Sequence, residues 1–157
     1  VHMNRTVMLF TAFLCVGNTS ADTSFRGDVV RILDGDTVEV MDATKQTLRV
    51  RLANIDAPER RQAFGEVARQ ALATMAYRQK IEVIDKGGDQ YGRRIGVLML
   101  NGRDLNAAMV GQGMAWVYTR YNSDPTLPAL EQRARAARIG LWADQNPTPP
   151  WQFRHAR

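Results

Sequence analysis

The chain has 157 residues, a formal net charge of +5 and one cysteine. This length suits a single domain that buries roughly two thirds of the surface exposed by its unfolded form, so folding does not require a metal or a disulfide. One cysteine excludes an intrachain disulfide, while the excess of Lys and Arg favours a polyanionic partner. Because many basic proteins bind no nucleic acid, charge alone does not identify that partner.

Residues 1–21 have the pattern of an export signal. Arg5 provides a positive charge, Val7 to Val16 is an apolar run, and Thr19-Ser-Ala21 offers small residues for cleavage. The apolar run is much shorter than the roughly 20 residues that span a bilayer, so no membrane span is expected after cleavage. Loss of this segment removes Arg5 and Cys15, and a chain without thiols suits an oxidising compartment. We therefore expect an exported protein, either periplasmic or secreted.

The residues that follow the leader alternate between apolar and polar, which predicts three strands between residues 25 and 52. Val30 and Ile32 are expected to share one face of the first strand. Asp34-Gly35 is a tight-turn signal between the first two strands, and the polar residues 42–46 separate the second from the third.

Helical spacing of apolar residues predicts an amphipathic helix over residues 64–76. Two further strands are predicted near residues 81–84 and 95–100. Asp104 is expected to cap a short helix, and another helix is expected between Asp124 and Gly140. Five strands with a helix inserted after the third suit a small barrel, which places the chain in the α+β class.

Two basic segments lie near the end of the chain. Arg133, Arg135 and Arg138 belong to the last predicted helix, and such charge is ordinary on a solvated helix face. A nucleic-acid surface is the alternative interpretation. Residues 146–157 form a basic, Pro-rich tail, and we expect its first part, Asn146-Pro-Thr-Pro-Pro150, to be extended and loosely ordered.

Three short segments, each bounded by turn residues, combine carboxylates with arginines. They are Asp34-Gly-Asp36-Thr37, Arg51-Leu-Ala-Asn-Ile-Asp56-Ala-Pro-Glu59 and Asp89-Gln-Tyr91-Gly-Arg93. Carboxylate and carbonyl oxygens are the ligands that hard cations such as Ca²⁺ prefer, and the planar guanidinium of Arg binds phosphate oxygens in pairs. The combination predicts a divalent-cation site that holds a phosphodiester.

This ordered set of motifs resembles the micrococcal nuclease (thermonuclease) family, and the similarity extends from about Phe25 to Trp142. The resemblance implies an OB-fold, a five-stranded Greek-key barrel with about three helices, over residues 22–145. It also implies an exported, Ca²⁺-dependent enzyme that cleaves DNA and RNA with little sequence preference and leaves 3′-phosphate and 5′-hydroxyl ends. We expect a monomer that prefers single-stranded or locally open nucleic acid.

Asp36 and Asp56 carry the metal role that the resemblance implies. Both would bind Ca²⁺ directly, and the backbone carbonyl of Ala57 would complete the protein ligands. Pro58 biases the residue before it toward an extended conformation, which suits a carbonyl that must be aimed at a metal. Asp34 is interpreted as a turn former, because Asp-Gly is a common hairpin signal.

Glu59 is the candidate general base, by resemblance and by composition. The chain has two histidines, His2 in the leader and His155 in the tail, so we expect no histidine in the folded core to take that role. Two alternatives stay open for Glu59: an organiser of the attacking water, and a first-turn helix residue favoured by the helix dipole. The resemblance implies that Arg51 and Arg93 bind the phosphate and neutralise the charge that grows on its oxygens.

The two arginines each raise a question of geometry. Arg51 and Asp56 are five positions apart, so strict alternation would send their side chains to opposite faces of a strand. A bulge or bend between them is therefore required if they share a site. Arg93 is followed by Arg94, and the family tripeptide Tyr-Gly-Arg selects Arg93.

Tyr91 and Tyr118 match aromatic residues that contact nucleotides in the family. Stacking on a ring tolerates any base, which fits a weak sequence preference. A core aromatic is the alternative for Tyr118, because Trp116 and Tyr121 are close to it in sequence. Gln90 departs from the basic residue that the best-known family member has before the first of these tyrosines.

A different class of function is the main alternative to an enzyme. OB-folds of this family can become catalytically weak or inactive modules that bind nucleic acid or protein, and such a module is expected to have lost site residues. A basic, envelope-associated structural protein is the second alternative, and it predicts no Ca²⁺ dependence. The carboxylates and arginines of the three motifs are all present, which favours the enzyme.

Overall fold

The computed structural model describes residues 23–156, so the predicted export signal lies outside the described residues. The strands are β1 (Thr23–Asp34), β2 (Thr37–Asp42), β3 (Thr47–Leu52), β4 (Ile55–Asp56), β5 (Lys80–Gly88), β6 (Arg94–Leu100), β7 (Arg103–Asp104) and β8 (Trp116–Val117). The α-helices are α1 (Gly65–Ala76), α2 (Leu105–Gly111), α3 (Leu127–Ala136) and α4 (Pro150–His155), and a 3-10 helix covers Gly140–Ala143. None of the helices in this part of the chain is long and apolar enough to cross a bilayer.

Five strands close into a barrel. Antiparallel pairing joins them in the order β3-β2-β1-β5-β6, and β3 then pairs in parallel with β6. Closure satisfies the backbone groups that an open sheet would leave at its edges. The architecture is the predicted α+β OB-fold with a five-stranded barrel, although α4 is a helix that the sequence analysis does not predict. Strands β4 and β8 form a separate two-stranded sheet beside the barrel.

The core fills the barrel and the space beneath α1 and α2. Its fully buried side chains include Val38, Val40, Val50, Leu52, Leu72, Ile81, Leu98, Leu105 and Met109. The prediction that Val30 and Ile32 share one face of the first strand is wrong. Val30 is 38% exposed and Val29 is 1% exposed, because the register of β1 against β2 shifts between Val29 and Arg31. Such a bulge moves the following side chains to the other face.

A buried asparagine fixes the chain segment that follows β3. The side-chain oxygen of Asn106 in α2 accepts a hydrogen bond from the Leu98 N–H at 3.1 Å. Its amide group donates to the carbonyls of Ala53 at 3.0 Å and Gly96 at 3.1 Å. Asn106 is 2% exposed, so these bonds satisfy a polar group that would otherwise be costly to bury. The turn at Ala53 is thereby tied to β6 and α2.

The end of the chain differs from the sequence-based expectation. Residues 150–155 form a helix that begins with Pro150 in its first turn, a position where the missing N–H and fixed φ of proline are favourable. Gln62 Nε2 donates to the carbonyl of Thr148 at 2.5 Å, and Pro150 is buried. Of the residues expected to be loosely ordered, Pro150 is instead buried at the start of α4. The rest of α4 is a helix that the sequence analysis does not predict, because periodicity does not reveal the side-chain contacts that hold it in place.

Candidate functional site

One cleft of about 880 Å³ gathers most of the residues selected from the sequence. The β1–β2 turn, the segment after β3, the β5–β6 loop and the residues after β8 all contribute to its walls. The selected residues that line it are Asp36, Arg51, Ala57, Glu59, Tyr91, Arg93 and Tyr118, and Gln90 lines it as well. Asp56 is 1% exposed and contacts Arg51 from behind the wall of the cleft.

Strand pairing brings Asp36 close to Arg51. Thr37 lies opposite Arg51 in the β2–β3 ladder, and the Leu52 N–H donates to the Asp36 carbonyl at 2.8 Å. Arg51 Nη2 is 3.1 Å from Asp36 Oδ2 and 2.9 Å from Asp56 Oδ1. One guanidinium nitrogen thus bridges the two predicted metal ligands, and the backbone fixes the position of each.

The bend that Arg51 and Asp56 require is present. Residues 53 and 54 turn the chain, and Asn54 has a φ of 69°, in the left-handed region that asparagine tolerates. Arg51 Nη1 donates to the carbonyls of Leu52 at 2.7 Å and Ile55 at 2.8 Å. The arginine therefore folds back over its own bend and reaches Asp56 from the same side.

The predicted metal ligands supply oxygen donors in a place that accepts positive charge. Asp36 and Asp56 converge on the same nitrogen of Arg51, and the Ala57 N–H donates to Asp36 Oδ2 at 2.7 Å. The described residues contain no group of three or more His, Cys, Asp or Glu side chains arranged to hold a metal. Two carboxylates and a neighbouring peptide group fit a hard cation that takes its other ligands from water or substrate.

Burial and neighbouring charge perturb the acidic residues of the cleft. Burial, together with the negative charge of Asp36, raises the pKa of Asp34 to about 7. The turn role of Asp34 is also present, since the Asp36 N–H donates to Asp34 Oδ1 at 3.1 Å. Burial likewise raises the pKa of Asp56, although the hydrogen bond from Arg154 and the charge of Arg51 act in the opposite direction. These are the shifts expected where carboxylates crowd together out of water.

Glu59 lies at the rim of the cleft, on the loop between β4 and α1. Its backbone N–H donates to Gln62 Oε1 at 3.1 Å, and its side chain is 35% exposed. Arg154 Nη1 contacts Glu59 Oε1 at 2.8 Å. The candidate base is therefore water-accessible but already paired with a cation from α4.

The adjacent arginines of β6 and its preceding loop point to different partners. Arg93 lines the cleft, where its Nε donates to Asp89 Oδ2 at 2.7 Å and its guanidinium carbon lies 5.4 Å from the Tyr91 ring centre. Arg94 instead pairs with Asp85, with Nε 3.0 Å from Asp85 Oδ2, and is not among the residues that line the cleft. Of the two, Arg93 is the arginine that reaches the cleft.

The two selected tyrosines have different surroundings. Tyr91 is 73% exposed at the mouth of the cleft. Tyr118 is half-buried, and its ring stacks on Trp151 of α4 at 5.7 Å between centres and 6° between planes. Tyr121 packs edge-on against it at 4.9 Å. Tyr118 lines the cleft, but one of its faces is already covered.

Sequence reasoning missed Trp151 and Arg154, which α4 brings to the cleft. Arg154 donates to both carboxylate oxygens of Asp56, at 3.1 and 2.8 Å, and to Glu59. The available signal was Pro149-Pro150 followed by a tryptophan, since proline favours the start of a helix and tryptophan favours burial. His155 is exposed and is not among the residues that line the cleft.

Comparisons with known proteins show the family to which the chain belongs. The family profile described as staphylococcal nuclease homologue matches residues 49–144. A micrococcal nuclease from Shigella flexneri is 46% identical over 156 residues, which cover 92% of this chain and 89% of that protein. Protein ParB from Escherichia coli is 51% identical over 140 residues, or 82% and 78% of the two chains. An uncharacterized endonuclease from Haemophilus influenzae is 38% identical over 97% of this chain and 86% of its own. The chain therefore belongs to the staphylococcal nuclease homologue family.

Proposed function

We propose that the chain is a Ca²⁺-dependent, sugar-non-specific nuclease that hydrolyses phosphodiester bonds of DNA and RNA. The observation that carries this proposal is the bridge from Arg51 to the carboxylates of Asp36 and Asp56 at 3.1 and 2.9 Å. Glu59 and Arg93 line the same cleft. Relatives named as a micrococcal nuclease and as endonucleases lend support over most of the chain.

Asp36, Asp56 and the backbone carbonyl of Ala57 are the groups that would hold Ca²⁺. When bound there, the ion would offset negative charge on the phosphate during attack. Asp36 Oδ2 accepts from the Ala57 N–H at 2.7 Å, which holds the backbone of Ala57 next to the Asp36 carboxylate. Preorganisation of this kind lowers the cost of assembling the site.

The chemistry falls to Glu59 and the arginines. Glu59 takes a proton from the water that attacks phosphorus, and the bond between phosphorus and the 5′ oxygen breaks. The 5′ oxygen takes a proton from solvent and leaves as a 5′-hydroxyl, while the phosphate stays on the 3′ side. Arg51 and Arg93 donate to the non-bridging oxygens, on which negative charge grows as the fifth oxygen arrives. Glu59 is suited to this role because its side chain is 35% exposed and reachable by water.

Tyr91 and Tyr118 would contact the nucleotides on either side of the cleaved bond. An exposed ring accepts any base by stacking, which fits cleavage without sequence preference and favours strands whose bases are unpaired. We also propose that the chain acts as a monomer.

Export to the periplasm or the medium is part of the proposal and rests on the pattern of residues 1–21. Cell fractionation tests it directly. Nuclease activity of the full chain is expected in the periplasm or the medium, whereas activity confined to the cytoplasm would contradict export.

The decisive experiment compares residues 22–157 with their Glu59→Gln variant on single-stranded DNA, duplex DNA and RNA. Wild type should degrade all three with millimolar Ca²⁺, should stop with chelator, and should leave 3′-phosphate ends. Glu59→Gln should lose about 10²–10⁴-fold in rate. Glu66→Gln, which removes an exposed carboxylate of α1, is the matched control and should retain activity. Oligonucleotide binding without cleavage, unchanged by chelator, would instead identify a binding module.

A further inference from the structure

The helix α4 reaches the cleft through two side chains that are three positions apart. Trp151 stacks on Tyr118 and meets Trp116 edge-on, with ring centres 5.6 Å apart. Arg154 lies one turn later in α4 and contacts Asp56 and Glu59. Residues three apart share one face of a helix, so a single docked face delivers both an aromatic ring and a cation.

Arg154 binds both carboxylate oxygens of Asp56, which is the more deeply buried of the two predicted metal ligands. Its Nη1 is 3.1 Å from Asp56 Oδ1 and its Nη2 is 2.8 Å from Asp56 Oδ2. Arg51 Nη2 also contacts Asp56 Oδ1, at 2.9 Å. Each oxygen of Asp56 therefore already accepts a hydrogen bond from a guanidinium. Arg154 must leave Asp56 before that carboxylate is free for a divalent cation.

Trp151 covers the ring of Tyr118, on which the proposed function places a nucleotide base. Its plane lies 6° from that of Tyr118, and the centres are 5.7 Å apart. This offset-parallel arrangement is the geometry in which aromatic groups stack favourably. A nucleotide base can use the same face of Tyr118 only when Trp151 is absent from it.

We infer that α4 is an internal ligand of the cleft, with Arg154 in the cation position on Asp56 and Trp151 in the base position on Tyr118. The inference rests on the proposed function, which supplies the two positions. Helix α4 is six residues long, and so short a helix depends on its docking contacts for order. When α4 is released, the contacts of Arg154 with Asp56 and of Trp151 with Tyr118 are replaced by those of a cation and a base, and the barrel stays folded.

Calcium titration of the metal-free protein by calorimetry tests this exchange without nucleic acid. Arg154→Gln and Trp151→Ala should each bind Ca²⁺ more tightly than wild type, by about three- to tenfold, because neither has to displace a docked cation. Arg69→Gln is the control, since Arg69 pairs with Glu66 on the exposed face of α1 and its loss changes the net charge equally. Affinity in Arg69→Gln should follow wild type.

Hydrogen exchange gives an independent readout. The amides of residues 151–155 in wild type should exchange faster when Ca²⁺ is saturating, while the amides of β2 and β3 should not. Unchanged protection of α4 would overturn the inference, as would equal or weaker Ca²⁺ affinity in Arg154→Gln, the result expected if Arg154 binds substrate phosphate instead.

Digestion of plasmid DNA and of RNA by the same preparations separates the two proposals. Wild type that cleaves DNA with Ca²⁺, beside an Arg154→Gln variant whose Ca²⁺ affinity is not increased, would overturn the inference and leave the nuclease function intact. Tighter Ca²⁺ binding by Arg154→Gln, beside a wild type that cleaves neither DNA nor RNA, would support the internal ligand and contradict the nuclease.

Discussion

The two sides of the cleft are held by different kinds of interaction. Asp36 and Arg51 sit on paired strands, with Thr37 opposite Arg51 in the ladder, so backbone hydrogen bonds fix the positions of their side chains. Arg154 belongs to a six-residue helix that rests on ring contacts and ion pairs. Segments with few buried contacts open at lower free energy than the sheets they lie on. The barrel side of the cleft, with Asp36 and Arg51, is thus held rigidly by the sheet. The α4 side, with Arg154, can open and change its binding partners.

The largest effect is expected on the barrel side, at Arg51. Arg51→Gln should lower kcat by about 10²–10³-fold, because it removes a donor that faces the phosphate in the transition state. It should also lower the melting temperature, since Asp36 and Asp56 would lose the cation that bridges them at 3.1 and 2.9 Å. Steady-state kinetics and calorimetry check both.

Arg31→Gln is the control for this prediction. Arg31 lies on β1, its side chain is 67% exposed, and it pairs with Glu39 at 3.8 Å. Surface pairs of this kind contribute little to stability. Equal losses in the two variants would show that net charge, and not the bridge, accounts for the effect of Arg51.

The barrel side is also the part of the molecule that sequence predicts well. The three motifs are local, and each places its carboxylate or arginine next to a turn signal. The resemblance to a known family selects Asp36, Asp56 and Arg51 from them, and strand pairing brings these three side chains together. The bend before Asp56 follows from side-chain alternation alone, and Asn54 supplies it with a φ of 69°.

The remaining features depend on contacts between distant segments. The bulge after Val29 is defined by the pairing of β1 with β2, which one strand's sequence does not encode. Asn106 bonds to Ala53, 53 positions away. The order of α4 comes from rings and carboxylates at least 30 positions distant, so its helical propensity alone gives no sign of it.

A smaller loss of activity, with a loss of stability, is expected at Asn106, the buried brace whose side-chain hydrogen bonds support the bend before Asp56. Asn106→Ala should destabilise the fold by about 2–4 kcal/mol, because the Ala53 and Gly96 carbonyls and the Leu98 N–H would each lose a partner. Urea unfolding measures this change. The activity of the folded fraction should also fall, since Asp56 follows directly on the turn that Asn106 ties.

Asn122→Ala is the matched control for the brace. The side chain of Asn122 makes local bonds to the backbone of Asp124 on the outer loop, so its removal should cost less than about 1 kcal/mol. Similar costs in the two variants would mean that the brace is not specific to Asn106.

A pH-dependent effect of intermediate size is expected at Asp34. Its pKa is raised from 3.8 to about 7, chiefly by burial and then by Asp36, so the folded protein binds this proton more tightly than the unfolded chain. Wild-type stability should therefore fall as pH rises from about 4 to 7. Asp34→Asn cannot lose that proton. The difference in melting temperature between Asp34→Asn and wild type, measured in chelator, should therefore grow by about 2–4 °C in favour of the variant from pH 5 to pH 8.

Asp89→Asn should change the stability in the opposite direction to Asp34→Asn. Burial acts to raise the pKa of Asp89, but hydrogen bonds from the backbone and side chain of Arg93 outweigh it and lower the pKa. The charged form is therefore favoured by folding, and its stabilisation is present above the ordinary pKa and lost in more acidic solution. Asp89→Asn should be less stable than wild type at pH 8, and a gain there would contradict the assignment.

The smallest effect on global stability is expected on the α4 side. Trp151→Ala removes the stacking partner of Tyr118 and the edge contact with Trp116, and each aromatic pair is worth about 0.5–1.5 kcal/mol. The loss in the free energy of unfolding cannot exceed the free energy of docking α4, since the barrel remains folded once the helix has left. We expect a loss of about 1 kcal/mol, with hydrogen-exchange protection lost over residues 151–155 alone.

Leu72→Ala, which opens a cavity beneath α1 at a side chain that is 0% exposed, should cost about 2–5 kcal/mol. A Trp151→Ala variant as unstable as Leu72→Ala would make α4 part of the core and remove the contrast between the two sides of the cleft.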